Sequence, residues 1–317
     1  MKNRTKSLTI VISGLLAFAP AVLAQNEGMG QGEATITILP KDEHAPPSNV
    51  SEQSVQAEAA GKKAQITSWQ SEHSGQAPVE LVLMIDNGAR GSLGREMDDI
   101  VHFIKGLPPN VKATVAYMEY GRAALAGPLT TDHAAVAKEV HLPAGMAEMN
   151  ASPYFCLSDL AKHWPSGDRS AFREVVMITD GVDYYELHYD PEDPYVQAAM
   201  SDAARADLVV YSIYWRSTGP EDRTWYESNA GQNLLEEVTQ ATGGISYWIG
   251  VGNPVSLTPY FDDISRRLSN QYELGFSAPL RGKAGVENLK VKVSAAGVKV
   301  TAPQQVWIAP PGAGNPE

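Results

Sequence analysis

Apolar and polar positions alternate with two different periods along this chain. Val79-Glu-Leu-Val-Leu-Met-Ile85 is apolar at almost every position, the pattern of a strand buried on both faces. Asp86-Asn-Gly-Ala-Arg-Gly91 then reads as a loop. From Ser92, a candidate cap, Leu93, Met97, Ile100, Val101, Ile104 and Leu107 share one face at helical spacing until Gly106 and Pro108 stop the run. The unit is strand, loop, helix, and it recurs. Val111–Tyr117, Ala123–Leu129, Arg173–Thr179, Leu208–Tyr214 and Ile245–Trp248 read as further strands, the first two joined through Tyr120-Gly-Arg122 as an antiparallel hairpin. Helical patterns fall between them at His133–Glu139, Phe155–His163, Val196–Ala206 and Gln232–Thr242, with a last helix opening at Pro259. Strands alternating with helices imply a mostly parallel sheet covered on both faces, the doubly wound α/β class.

The period changes at both ends. Gln271–Phe276, Leu289–Val293 and Val298–Thr301 alternate with period two, as strands with one wet face do. Short β-type runs at Ala34–Leu39, Ser54–Glu58 and Ala64–Trp69 precede the core. That N-terminal element is too thin to hold a core of its own, and the two sets are expected to pair into one β appendage on the α/β core. Residues 25–45 and 305–317, rich in Gly, Pro and polar groups, are expected to be loosely held. The resulting division is a signal segment at 1–24, a flexible N-terminus and small β segment at 25–75, the α/β domain at 76–270, and a C-terminal β segment with a loose tail at 271–317.

Composition sharpens this in three places. Lys2, Arg4 and Lys6 precede an apolar run from Leu8 to Ala19, Pro20 breaks it, and Val22-Leu-Ala24 supplies small residues before Gln25. That layout predicts a cleaved secretory signal and a secreted or periplasmic protein that begins at Gln25 and is not inserted in a membrane. Net charge is −12 over 317 residues, which argues against nucleic acid and anionic lipid as partners. The single cysteine, Cys156, lies among apolar residues and reads as a buried, inert thiol.

In an open α/β sheet, ligands sit beyond the carboxyl ends of the strands where the strand order reverses. Asp86 and Asp180 each end an apolar strand there, so both are candidate site residues; each is also placed to cap the segment that follows. The acidic, aromatic stretch Asp183–Asp193 and the long aromatic stretch Tyr214–Tyr226 follow strand ends on the same side. Their rings suit contact with protein or glycan, and equally suit packing on each other to order long loops.

Val82-Leu-Met-Ile-Asp86, Ser152-Pro-Tyr154 and Val176-Met-Ile-Thr-Asp-Gly181 together resemble the von Willebrand factor A domain. Leu235–Gly244 and Ile264–Phe276 resemble the exported A-domain proteins of acidobacteria. The resemblance spans about residues 50–305. It implies a Rossmann-like domain engaged in adhesion or assembly, with a metal-ion-dependent adhesion site at the top of the sheet. That site is built from Asp-x-Ser-x-Ser, a Thr from a middle loop, and a final Asp. Here the first loop is Asp86-Asn-Gly88-Ala-Arg90, Ser152 stands in place of the Thr, and Asp180 matches the final Asp. Both serines are lost and Arg90 puts a cation at a ligand position. A degenerate site of Asp86, Arg90, Ser152 and Asp180, holding no metal and no cofactor, is expected.

Enzymatic readings have less behind them. An Asp86-dependent hydrolase would need a second Asp two residues on, where Gly88 stands. No Gly-x-Ser-x-Gly elbow, His-Glu-x-x-His pair or phosphate loop occurs, and the seven histidines are scattered. The expectation is a non-enzymatic, metal-independent interaction module with an unidentified protein or glycan partner. A structural role in an envelope assembly through the β appendage is the alternative.

Overall fold

A computed structural model describes residues 28–46, 49–71, 77–89, 93–143, 152–183, 185, 188–216, 224–250, 252–280 and 282–312. The signal segment, Gln25, Arg90, the capping Ser92 and residues 217–223 of the second aromatic stretch lie outside the described residues.

Four strands open the described chain: β1 (Gly28–Pro40), β2 (Val55–Ala59), β3 (Lys62–Lys63) and β4 (Gln65–Ser71). The α/β core follows, with β5 (Val79–Asp86), α1 (Met97–Gly106), β6 (Val111–Glu119), β7 (Arg122–Leu125), α2 (His133–Lys138) and α3 (Pro153–Lys162). It continues with β8 (Phe172–Thr179), α4 (Pro194–Arg205), β9 (Leu208–Tyr214), α5 (Trp225–Thr242), β10 (Ser246–Tyr247) and α6 (Thr258–Leu268). The chain closes with β11 (Gln271–Leu280), β12 (Gly285–Val293), β13 (Val298–Thr301) and β14 (Gln305–Ile308).

The central sheet has six strands in the order β10-β9-β8-β5-β6-β7, parallel except for the β6–β7 hairpin. Tyr120 and Gly121 both take positive φ in that hairpin's turn, as a two-residue turn matching strand twist requires. The near-continuous apolar runs follow from two-sided burial. Leu81, Leu83 and Ile85 of β5 pack with Phe103, Ile104, Phe261 and Ile264 from α1 and α6. Val82 and Met84, pointing the other way, pack with Leu157, Met200 and Leu234 from α3, α4 and α5. The fold is therefore a doubly wound, mostly parallel α/β sheet. Its order reverses at β5, which leads first to β6 on one side and later to β8 on the other.

The strands from the two ends interleave. One sheet runs β13-β1-β11-β4 and the other β14-β12-β2-β3, and the Gln31–Ala309 bridge joins them. Two sequence expectations are corrected here. Within the supposedly loose N-terminal stretch Gly28–Pro40 is a 13-residue strand, and residues 305–308 of the supposedly loose tail are β14. Strands from both ends share one core, in which Ile36 and Ile38 of β1 pack with Tyr272, Leu274, Phe276, Leu289 and Ile308. Glycine composition misled because the glycines serve packing. A Cβ on Gly30 would sit 2.5 Å from the Ile308 side chain, and one on Gly32 would sit 2.7 Å from Phe276, so only glycine lets β1 cross this closely.

Two boundaries also move. The sixth strand shrinks to Ser246–Tyr247, and α5 begins at Trp225 rather than Gln232. The earlier start has a local cause. Thr224 accepts from the Glu227 backbone N–H, and the Glu227 side chain accepts from Thr224 N–H, a reciprocal capping box.

Candidate functional site

Parallel pairing of β5 with β8 ends at Ile85 opposite Ile178, so the next residues, Asp86 and Thr179, emerge side by side at the crevice where the sheet order reverses. The Thr179 hydroxyl donates a short hydrogen bond to Asp86 Oδ2, and Gly88 N–H donates to Oδ1 at 2.8 Å. Thr179 Oγ1 also accepts from Gly181 N–H at 3.1 Å, which ties the β5 loop to the β8 loop through one side chain. Thr179 was not singled out from the sequence. It was legible only as the polar residue before Asp180, and its partner depends on strand register.

Asp180 is buried, and its Oδ1 accepts from Val182 N–H at 3.0 Å. Asp183, also buried, repeats the pattern with Tyr185 N–H at 2.9 Å. Both carboxylates thus close Asx turns that shape the loop after β8. Ser152 is fully buried, and its hydroxyl oxygen accepts from Tyr154 N–H at 3.2 Å as the N-cap of α3. The structure brings Asp86 into contact with Thr179, while Ser152 and Asp180 serve their own turns; Arg90 lies outside the described residues.

Tyr154, part of the Ser152-Pro-Tyr154 run but not among the expected site residues, is buried beneath the β8 loop and donates to the Gly181 carbonyl at 2.7 Å. Burial, then the neighbouring Asp183 and Asp180 carboxylates, hold its hydroxyl well above the usual phenol range. Tyr154 is therefore a fixed donor that holds Gly181 in place. Gly181 adopts φ +67°, and helix α5 crosses so close that a Cβ on Gly231 would lie 2.2 Å from the Asp180 carbonyl oxygen. The loop carrying Asp180 is clamped from below by Tyr154 and from the side by α5.

Around this crevice stands an aromatic rim. Phe155 meets Tyr185 and Tyr195 edge to face at 5.1 and 4.7 Å, Tyr185 and Tyr195 lie tilted at 5.7 Å, and His188 meets Tyr226 at 5.7 Å. Tyr189 donates to Glu237 of α5. The rings pack on each other, yet they also remain open to solvent: Tyr185, Tyr195, Tyr226 and Trp248 are about half exposed, Trp225 is 70% exposed and Tyr120 82%. Ile249 and Val255, at 55% and 95% exposure, extend the same end. Among the described residues, no group of three His, Cys, Asp or Glu side chains is placed to hold a metal ion. No described helix is long and apolar enough to cross a membrane.

The fold and this crevice define a doubly wound α/β domain carrying a β-sandwich built from both chain ends. No protein-family model matches the chain, and no curated protein matches it. Solved structures do resemble it. An aerotolerance-related membrane protein from Bacteroides fragilis is 15% identical, over 60% of this chain and 98% of its own, with a TM-score of 0.45. BatB from Bacteroides thetaiotaomicron is 18% identical, over 60% and 97%, with a TM-score of 0.44. The vWF domain of the type V pili tip protein Mfa5 from Porphyromonas gingivalis is 10% identical, over 60% and 94%, with a TM-score of 0.41.

Proposed function

We propose that this chain is an exported A-type domain that binds a protein partner through the carboxyl-end face of its sheet, without a metal ion and without catalysis. The aromatic rim carries the reading. Large apolar side chains exposed together are unusual on a surface that faces only water, and aromatic anchors dominate protein interfaces. Ile249 and Val255 favour protein over glycan, because a sugar stacks on rings and gains little from branched aliphatic groups.

The donor set does not suit a divalent cation. Asp86 offers its oxygens to Thr179 and Gly88, Asp180 and Ser152 each accept a backbone N–H, and Gly88 has no side chain. Mg²⁺ would require several of these bonds to be surrendered for near-octahedral ligation. An ion at 100 times its dissociation constant would stabilise the fold by roughly 2.7 kcal/mol, a melting shift of about 5–10 °C in a domain of this size. Melting curves in EDTA and in millimolar Mg²⁺, Mn²⁺ or Ca²⁺ are expected to coincide, and a clear upward shift would show that the ion enters.

The interaction is tested with a photoreactive residue placed at Trp225 and, as a control on the β-sandwich, at Lys290, in cells that export the chain. A discrete protein adduct from position 225, absent from position 290 and lost on Tyr185→Ala with Tyr226→Ala, is expected. Equal adducts from both positions, or none from 225, would defeat the reading. Release of the 225 adduct by glycosidase treatment would reassign the partner as glycan.

A further inference from the structure

A second site lies at the opposite end of the sheet. A cavity of about 1000 Å³ opens between the carboxyl-terminal ends of α3 and α4 and the start of β8. Its wall carries Lys162, His163, Trp164, Arg169, Arg173 and Arg205, against one acid, Asp202. The chain as a whole has net charge −12, so this concentration of cations runs against its composition.

The cations are held, not loose. Arg173 is 4% exposed, and its guanidinium donates to the carbonyls of Asp168 at 3.0 Å, Ser166 at 3.2 Å and Ala206 at 3.5 Å. These carbonyls orient the group, the carboxylates of Glu80, Asp207 and Asp168 act on its charge from nearby, and its buried Nε–H has no hydrogen-bond partner. Trp164 lies 5.5 Å from that guanidinium, and its own Nε1–H donates to the buried Glu80 at 2.8 Å. Glu80 in turn faces Lys112 at 3.6 Å. Arg205 lies over the Trp307 ring at 4.7 Å. Asp202 accepts from Ser158 at 2.6 Å and pairs with Lys162 at 2.8 Å and Arg205 at 3.8 Å, one carboxylate shared between two cations. Burial, then the Arg169 charge, press Arg173 toward losing its proton, against the opposing pull of Glu80, Asp207 and Asp168. An anion in the cavity would relieve that repulsion.

We propose that this cavity binds a small organic anion bearing two or more phosphate or carboxylate groups. On the cavity wall Lys162, Arg169, Arg173 and Arg205 outnumber Asp202, and although Glu80, Asp168 and Asp207 offset part of the Arg173 charge, the wall favours a ligand with more than one negative charge. Guanidinium forks match phosphate and carboxylate alike. A cavity of this volume falls at the upper end of small-molecule pockets, which favours a compact solute over a polymer. Cations already fixed by stacking and by carbonyls lose little freedom when they bind. The site is independent of the carboxyl-end face: Arg173 and Thr179 sit six residues apart on β8, roughly 20 Å.

Calorimetry on the full chain at low salt tests this, with pyrophosphate and citrate as probes, acetate as the monovalent control and sulfated dextran as the polymer. Pyrophosphate or citrate should bind at one site per chain, acetate should not, and added NaCl should weaken the binding. Arg169→Glu, on an exposed residue, should retain the parent melting temperature and weaken binding at least about tenfold, as expected for reversing one contact charge. Arg205→Ser should weaken it as well. Failure of both pyrophosphate and citrate to bind, or undiminished binding in Arg169→Glu, overturns the proposal. Binding of sulfated dextran alone overturns the assignment to a small solute.

Discussion

At the carboxyl end of the six-stranded sheet, Asp86, Asp180 and Asp183 sit inside a ring of exposed aromatics. Their oxygens accept from loop backbone N–H groups and from Thr179. At the amino-terminal end, Arg173 and its neighbouring cations gather around a cavity, and Arg173 donates to neutral carbonyls. The same kind of bond, a charged group to the peptide backbone, has opposite consequences. Carboxylates closing turns become part of the loop framework and leave the rim to make contacts. A guanidinium anchored by carbonyls is held in place at the cavity wall, with Glu80, Asp168 and Asp207 as its nearby counter-charges. One end is shaped for apolar contact and the other for charge, although acidic residues dominate the sequence.

Substitutions at the two ends should separate their behaviour, and the largest effect is expected beside the cationic cavity. Asp207, in the α4–β9 turn, is pushed from 3.8 to about 7 by burial, then by Glu33 and Glu273, against the smaller opposing pull of Arg173 and Arg169. Glu273 is itself raised by burial and by Glu33. A carboxyl raised in the folded state holds a proton that the unfolded chain has released. Stability from Asp207 is therefore present below 3.8 and is lost as pH rises from there through about 7. Asp207→Asn, at a left-handed position that Asn tolerates, should flatten urea midpoints over that window and exceed the parent above it. Parallel profiles for the two proteins would show that the carboxylates do not converge.

At the carboxyl end, Gly231→Ala forces a methyl group against the Asp180 carbonyl. It should cost about 3 kcal/mol, the upper range for overpacking against rigid atoms, and lower the melting temperature by roughly 6–12 °C. A melting point unchanged from the parent would mean that α5 does not clamp the loop. Thr179→Val removes the donor to Asp86 and the acceptor for Gly181 N–H, and should cost about 2 kcal/mol in denaturant unfolding. Pyrophosphate and citrate binding should remain at the parent level in this variant. Loss of both stability and anion binding would join the two ends into one unit. Ser152→Ala removes only the α3 cap and should cost about 1 kcal/mol. A larger loss, recovered by added Mg²⁺, would return Ser152 to a ligand role.

The α/β core and the placement of its strand ends follow from local patterning in the chain alone. Runs such as Val79–Ile85 and Arg173–Thr179 report two-sided burial locally, because each face meets its own helix layer whatever the distant partners are. Asp86 and Asp180 were legible for the same reason, as the first polar residues after such runs. The start of α5 is legible too, in Thr224-x-x-Glu227, although two aromatic residues stand between. Glycine read as looseness in β1 because composition does not say what crosses above a strand. The Thr179–Asp86 bond required the register of β5 against β8, a property of two segments 93 residues apart. The cationic cavity draws on α3, β8 and α4, with Trp307 of β14 behind Arg205. Charges that share a cavity only through tertiary packing leave no period in the chain, so nothing short of the assembled fold could bring Lys162, Arg173 and Arg205 together.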